Sequence, residues 1–242
     1  MEVHTHPKDE LTPDDLRKAL DRHGVICVRG AELDDAGLVA LLSGLGEAMF
    51  TSGETCVDGH PSLNVVTNAG RDRPPRSRYH TDSSYYRRPP AYTALRPVAV
   101  PDSGGDTLFL DMREALSDMD ADALRGRRAR HVVTGVEPEP GEDRESWQPL
   151  IRRHPSGADA LYISVPERMV EVDGMEAGEA RELLDDLYAR VTAREPLRHR
   201  WRTGDLLIWD NRTTLHKGDH SAVVGERTLH RGMVRGEVPQ LA

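Results

Sequence analysis

Cysteine is nearly absent from this 242-residue chain, which has only Cys27 and Cys56. Two thiols cannot make a disulfide framework, so the fold must rest on a packed core, and a reducing cytoplasm is the expected setting. Aromatic residues are scarce, at 5%, yet an apolar fraction of 37% still supplies a core. A chain of this length is expected to form a single domain over 1–242. No apolar stretch approaches the roughly 20 residues of a membrane span, and no charged-then-apolar leader opens the sequence, so no membrane partner is expected. Positive charge is not in excess either. The formal net charge is −9, which argues against a nucleic-acid partner, because phosphate binding needs basic surface. The sequence contains no internal repeat and no low-complexity tract.

What is present is a set of metal-ligand residue types at telling spacings. Tyr79-His80-Thr81-Asp82 places an imidazole and a carboxylate two residues apart. On an extended strand both would point to one face. His216 follows far downstream in Trp209-Asp210-Asn211-Arg212-Thr213-Thr214-Leu215-His216, directly after the apolar run Leu206-Leu207-Ile208. Two imidazoles and one carboxylate can hold one face of an octahedral metal and leave the other face open. Arg227 lies eleven positions beyond His216, and a guanidinium offers a planar fork to a carboxylate.

In four blocks the chain resembles the taurine/2,4-dichlorophenoxyacetate dioxygenase family, Fe(II)- and 2-oxoglutarate-dependent enzymes of the TauD/TfdA type. The first block is Tyr79-His80-Thr81-Asp82-Ser83-Ser84-Tyr85. The second runs from Val98 to Asp111 and contains Gly104-Gly105-Asp106-Thr107. The third is Trp209-Asp210-Asn211-Arg212…His216, and the fourth is Arg227-Thr228-Leu229-His230-Arg231. The resemblance extends roughly from Val25 to Arg235. It implies that His80, Asp82 and His216 bind iron, and that Thr107 and Arg227 hold the distal carboxylate of 2-oxoglutarate. It also implies that Ser83 and Arg231 meet the prime substrate, with Arg231 receiving its acidic group; Arg76, four residues before His80, is a further candidate there. The chain departs from the pattern in places. Tyr79 replaces a usual Trp, Gln148 stands where His is common, and no histidine occupies the sulfonate-binding position near Cys56, His60 being wrongly offset.

The fold implied is α+β with a mainly β core, a double-stranded β-helix (jelly roll) flanked by helices. Periodicity alone supports only mixed α and β. Thr12, Pro13 and Gly24 delimit a helix around 13–22, and Asp34 to Leu45 reads as a second helix. Glu176 to Ala193 is the longest, with Leu183, Leu184, Leu187 and Val191 on one stripe. Asp111 to Arg125 reads as helical with a break near Asp118. Strands are expected at 25–28, 63–67, 92–100, 107–110, 161–165 and 228–235, with two more around Thr203-Gly204-Asp205. The segments 50–60, 71–78 and 137–147 are candidate lids. His4 and His6 read as part of a disordered tail. His23 is expected at a helix C-terminus, and His131, His154, His199, His220 and His230 are expected in surface or structural roles. Trp201 and Trp209 are assigned to the core, and Asn211 and Arg212 to bracing the segment that presents His216.

The resemblance implies oxidation, chiefly hydroxylation, of an unactivated C–H bond with O₂ as oxidant and release of succinate and CO₂. Because halogenating relatives lack the ligand carboxylate, Asp82 points to oxygenation. The expected substrate is a small organic acid or amino-acid-like anion. Relatives often form dimers or larger assemblies, so a homo-oligomer is expected. The alternative left open at this point is a non-oxidative, cupin-like metal-binding protein, either a sensor or a Zn²⁺ hydrolase.

Overall fold

The computed structural model describes residues 2–51, 53–70 and 77–242. Its largest sheet has eight strands. The order runs His4–Thr5, Val25–Val28, Leu206–Asp210, Pro90–Ala99, Thr228–Arg235, His60–Thr67 and Cys56–Val57, and Ala48–Met49 pairs with Thr228–Arg235. Three three-stranded sheets complete the β structure. The one that matters most for the site has Thr107–Asp111 between Leu197–His199 and Thr214–Gly218. Together these strands make the jelly-roll core, with helices packed outside it.

The strand Leu206–Asp210 shows how sequence dictates the layering. Side chains alternate across a strand, and here Leu206 and Ile208 join the cluster containing Leu16, Leu20, Leu38 and Leu42 of the first two helices. Leu207 and Trp209 face the other way, into a cluster with Phe109, Leu95, Leu229 and Trp201 between the sheets. Both faces are covered, so the strand reads as an unbroken apolar run. A third cluster packs Leu184, Leu187 and Val191 of the longest helix, Ala177–Thr192, against Leu161, Ile163 and Met169.

The helices obey their local signals. Thr12 accepts from the Asp15 amide, Pro13 begins the helix Pro13–His23, and Gly24 closes it at φ 70°, a conformation that favours glycine. Asp34 caps Asp35–Leu45 by accepting from the Gly37 amide. The helix Met112–Ser117 stops at Asp118, where the break is expected, but it does not resume: the helical stretch expected on to Arg125 is turn instead.

Several expectations need correction. His80 forms only an isolated bridge, to His216, and the residues after Thr81 turn away, so His80 and Asp82 do not share a regular strand. The N-terminal segment is not a loose tail: His4–Thr5 pairs with Val25–Val28, His4 stacks on His23, and His6 is buried. The strand expected at 161–165 is Asp159–Leu161, ending where the other was to begin. Part of the irregular segment 137–147 is the strand Glu145–Pro149, and Arg128–Val132 is a strand that was not foreseen.

Candidate metal centre and its cavity

A pair of backbone hydrogen bonds locks the two histidines together. The His80 amide donates to the His216 carbonyl and the His216 amide to the His80 carbonyl, both at 2.9 Å. This rung puts the two rings 4.3 Å apart, centroid to centroid. Asp82 is reached by a turn rather than by strand alternation, and Ser83 beside it adopts φ 40°. A left-handed backbone at a non-glycine residue is strained and clusters at functional sites.

The result is convergence. His80 Nε2 and His216 Nε2 each lie 3.7 Å from Asp82 Oδ1. Bonds from N and O ligands to a metal run roughly 2.0–2.2 Å, so all three atoms can reach one ion. The donor chemistry also fits. His80 Nδ1 lies 2.9 Å from the Arg78 carbonyl; donating its proton there leaves the Nε2 lone pair facing Asp82. Burial pushes the His216 imidazole down to about 3 against the pull of Asp82, and burial is also the main cause lowering His80. Burial thus favours the neutral form of both rings, in which a nitrogen lone pair can bind a metal. Burial alone would raise the Asp82 carboxyl, but the neighbouring His216, Arg231 and His80, with the Thr93 hydroxyl, hold it at about 2.

A chain of hydrogen bonds aims Asp82. Trp209 Nε1 donates to Asn211 Oδ1 (3.0 Å), Asn211 Nδ2 to Thr93 Oγ1 (2.8 Å), and Thr93 Oγ1 to Asp82 Oδ2 (2.7 Å). Thr81 Oγ1 donates to the Asn211 carbonyl at 2.9 Å. Asn211 thus braces the Thr81-Asp82 turn as well as the segment leading to His216. Arg212 grips Asp210 through Nε to Oδ1 (2.8 Å) and Nη2 to Oδ2 (2.6 Å).

Two other groups of ligand-type side chains lie close together among the described residues: Cys27, His199 and Asp205, and Asp21, His154 and Asp210. In both, a guanidinium already holds the carboxylate, Arg29 on Asp205 and Arg212 on Asp210. Asp82 is held less tightly: Thr93 fixes one oxygen, and the other lies 3.7 Å from Arg231 Nη1, no nearer than the two imidazole nitrogens it faces.

The centre opens into a cavity of about 940 Å³ whose lining includes His80, His216, Thr107, Arg227 and Arg231. Arg227 donates through Nε to the Gly105 carbonyl (2.7 Å) and through Nη2 to Thr107 Oγ1 (3.3 Å). Trp201 Nε1 donates to the same hydroxyl at 3.1 Å. With two donors pointed at its oxygen, Thr107 keeps its own proton for an incoming acceptor. Burial lowers the Arg227 guanidinium to about 10, still charged at pH 7. Its close packing depends on Gly105, where a Cβ would meet Arg227 Cδ at 2.9 Å.

Ser83 is buried and its Oγ lies 3.2 Å from Thr51 Oγ1, and Ser83 is not in the cavity lining. Arg231 lines the cavity but is ion-paired with Glu54, and its Nη1 lies 3.7 Å from Asp82 Oδ1. Arg76 lies outside the described residues. Of the candidate lids, Gly53, Glu54 and Thr55 form part of the wall, as do Ser77 and Arg78; Thr134 and Gly135 line it where 137–147 was expected. Sequence reasoning missed Glu54, Thr93 and Arg168, and nothing in their local sequence marks them. Asp106 follows the Gly-Gly turn but pairs outward with Arg198 at 2.6 Å.

The model of the taurine catabolism dioxygenase TauD, TfdA family matches residues 4–233. The chain is 30% identical to an alpha-ketoglutarate-dependent 2,4-dichlorophenoxyacetate dioxygenase of Burkholderia sp. (strain RASC), over 92% of this chain and 85% of that one. Among solved structures it resembles a taurine dioxygenase from Burkholderia xenovorans, with a TM-score of 0.81, 29% identity, and 95% and 86% of the two chains covered. It also shares its fold with AAD-2, crystallised with Mn(II) and N-oxalylglycine, at a TM-score of 0.82 and 24% identity over 99% of this chain and 97% of that one.

Proposed function

The chain belongs to the taurine catabolism dioxygenase TauD, TfdA family, and from that premise we propose a 2-oxoglutarate (alpha-ketoglutarate)-dependent dioxygenase of a small organic acid, with Fe(II) held by His80, Asp82 and His216. The observation that carries it is the meeting of both Nε2 atoms on Asp82 Oδ1 at 3.7 Å, across one cavity from a guanidinium with no carboxylate partner among the described residues, Arg227. The acid character of the substrate follows from the relatives, named for 2,4-dichlorophenoxyacetate and taurine, both of which carry an acidic group.

The bound ion would supply the redox chemistry by which O₂ and 2-oxoglutarate yield succinate and CO₂ as a substrate C–H bond is oxidised. The protein's own contribution is binding and orientation. His80 and His216 present neutral nitrogens, and Asp82 presents a fixed anionic oxygen whose partner oxygen is anchored by Thr93. A buried free carboxylate would be costly, so Arg227 and the Thr107 hydroxyl receive the distal end of 2-oxoglutarate and set its distance from the metal ligands. The cupin-like sensor or hydrolase reading has no use for that guanidinium.

The test is incubation of the purified protein with Fe(II), ascorbate, 2-oxoglutarate and a panel of small acids in air. Succinate should form in step with 2-oxoglutarate loss and stop when iron is chelated. Succinate at background with every acid would return the hydrolase or sensor reading.

A further inference from the structure

Among the described residues, four guanidinium groups line the cavity, those of Arg78, Arg168, Arg227 and Arg231. Two are already neutralised: Arg78 pairs with Glu167, and Arg231 with Glu54, with Asp82 also close. Arg227 is matched by the far carboxylate of 2-oxoglutarate. Arg168 remains, and it makes no ion pair with a described residue. Its Nη1 donates to the Thr81 carbonyl at 3.2 Å, in the peptide that joins Thr81 to Asp82, and its Nη2 reaches Thr134 Oγ1 only at 3.4 Å. Its Nε is buried with no acceptor, and the group lies over the Tyr85 ring at 5.6 Å. A guanidinium carries five donors, and a largely buried one met by two neutral oxygens is left short of both charge and hydrogen bonds.

The partner of Arg231 sharpens the point. Glu54 belongs to the cavity wall, and with Asp82 it surrounds Arg231 with negative charge. An incoming acid at Arg231 would have to displace Glu54 and approach Asp82. At Arg168, whose Nε like that of Arg231 is buried without an acceptor, it would meet a guanidinium that no carboxylate of the described residues pairs with. We propose that Arg168, rather than Arg231, receives the acidic group of the prime substrate, and that Glu54 withdraws Arg231 from that role; this rests on the dioxygenase reading of the cavity. Among the described residues the cavity then has two guanidiniums without an ion pair for two anionic ligands, Arg227 for the co-substrate and Arg168 for the substrate.

The purely structural account makes Arg168 a brace for the Thr81 carbonyl. Calorimetry separates the two, using protein loaded with Mn(II) and N-oxalylglycine so that no turnover occurs. The probes are 2,4-dichlorophenoxyacetate, hexyl sulfate, taurine and the uncharged 2,4-dichlorophenoxyacetamide. At least one acid should bind the wild type more tightly than the amide does. Arg168→Gln should weaken that acid about tenfold or more and leave the amide unchanged, and Arg168→Lys should recover part of the loss. Glu54→Gln should leave acid binding intact or tighten it, because Arg231 becomes available. A brace alone would instead shift the Mn(II) affinity and the melting temperature, with acid and amide affected alike. The proposal is overturned if Arg168→Gln binds the acids as well as wild type, if acid and amide fall together, if Glu54→Gln weakens acid binding, or if no acid binds the wild type at millimolar concentration. Should Arg168→Gln fail to fold, Arg168→Lys carries the test, with acid affinity equal to wild type as the contrary result. Succinate formation by the wild type is independent of what the Arg168 and Glu54 variants do, so their failure leaves the dioxygenase assignment standing.

Discussion

At the residue scale, the division of labour at Asp82 makes the site specific. One oxygen is tied to Thr93 and the other is shared between two imidazoles. On the proposed ligand set, Asp82→Ala or His216→Ala would leave two protein ligands, and both should lose iron-dependent 2-oxoglutarate turnover altogether. Arg227→Ala should act differently. Its loss removes a charge-assisted partner for the distal carboxylate, a change of about 1.5–3 kcal/mol or roughly ten- to hundredfold in affinity. The measurement is the 2-oxoglutarate concentration for half-maximal succinate release, and an unchanged value in Arg227→Ala would remove that residue from co-substrate binding. His80, Asp82, His216, Thr107 and Arg227 stand out in the sequence through the family resemblance of the blocks that contain them, helped by the His80-x-Asp82 spacing, and the fold brings them around one cavity. Thr93 could not, since it is one threonine in a β strand until Asn211 and Asp82 are seen on either side of it. Whether an arginine is free or neutralised is likewise a tertiary property. Nothing near Arg231 in sequence announces Glu54, which reaches it from a segment 177 residues away.

At the element scale, the Gly104-Gly105 turn positions Arg227, the arginine proposed for the co-substrate. A Cβ on Gly104 would come within 2.3 Å of the Ala222 carbonyl oxygen at φ +71°, and backbone cannot swing aside as a side chain can. Gly59 has nearly the same φ, +73°, with open space around it. Gly104→Ala should therefore cost about 2 kcal/mol or more, roughly 4–8 °C in Tm for a domain of this size, and weaken 2-oxoglutarate binding. Gly59→Ala should show only the smaller backbone penalty. Equal melting temperatures for the two variants would refute the argument. Helix ends were legible because caps are local: Thr12, Pro13, Gly24 and Asp34 act on residues within a turn. The strand Leu206–Asp210 was legible because both its faces are buried. Arg128–Val132 and Glu145–Pro149 were not, because Arg, His, Ser, Glu and Gln fill them and they are held by pairing with each other and with Met169–Val172. The His80-Thr81-Asp82 geometry was misread for a related reason. A long-range backbone bridge ends at His80 and a turn begins directly after it.

At the scale of the whole molecule, the buried imidazoles make stability depend on pH. Burial, with Arg168 adding to it, pushes His131 down to about 3. Unfolded, the ring titrates near 6.5. Between these values the unfolded chain binds a proton that the folded chain does not, so the contribution is complete above pH 6.5 and is lost as pH falls toward 3. The metal-free protein should melt at progressively lower temperature from pH 6.5 to pH 4. His131→Asn, which keeps a side-chain partner for Ser84 without the titration, should flatten that slope in calorimetric scans; an identical slope would assign the acid sensitivity elsewhere. The Asp210 carboxyl, held well below the usual range by Arg212 and His154 despite its burial, adds loss of stability in the same direction at more acid pH.

The rung between His80 and His216 also orders events in time. In a disordered chain only a two-donor fragment, His80 with Asp82, is available locally, and the third donor is 136 residues away. Closing so long a loop before the intervening strands have paired is entropically unfavourable. A metal ion held by these three residues would thus be captured at full strength only by molecules whose polypeptide has already finished assembling, and newly made, half-formed copies would offer it no complete seat.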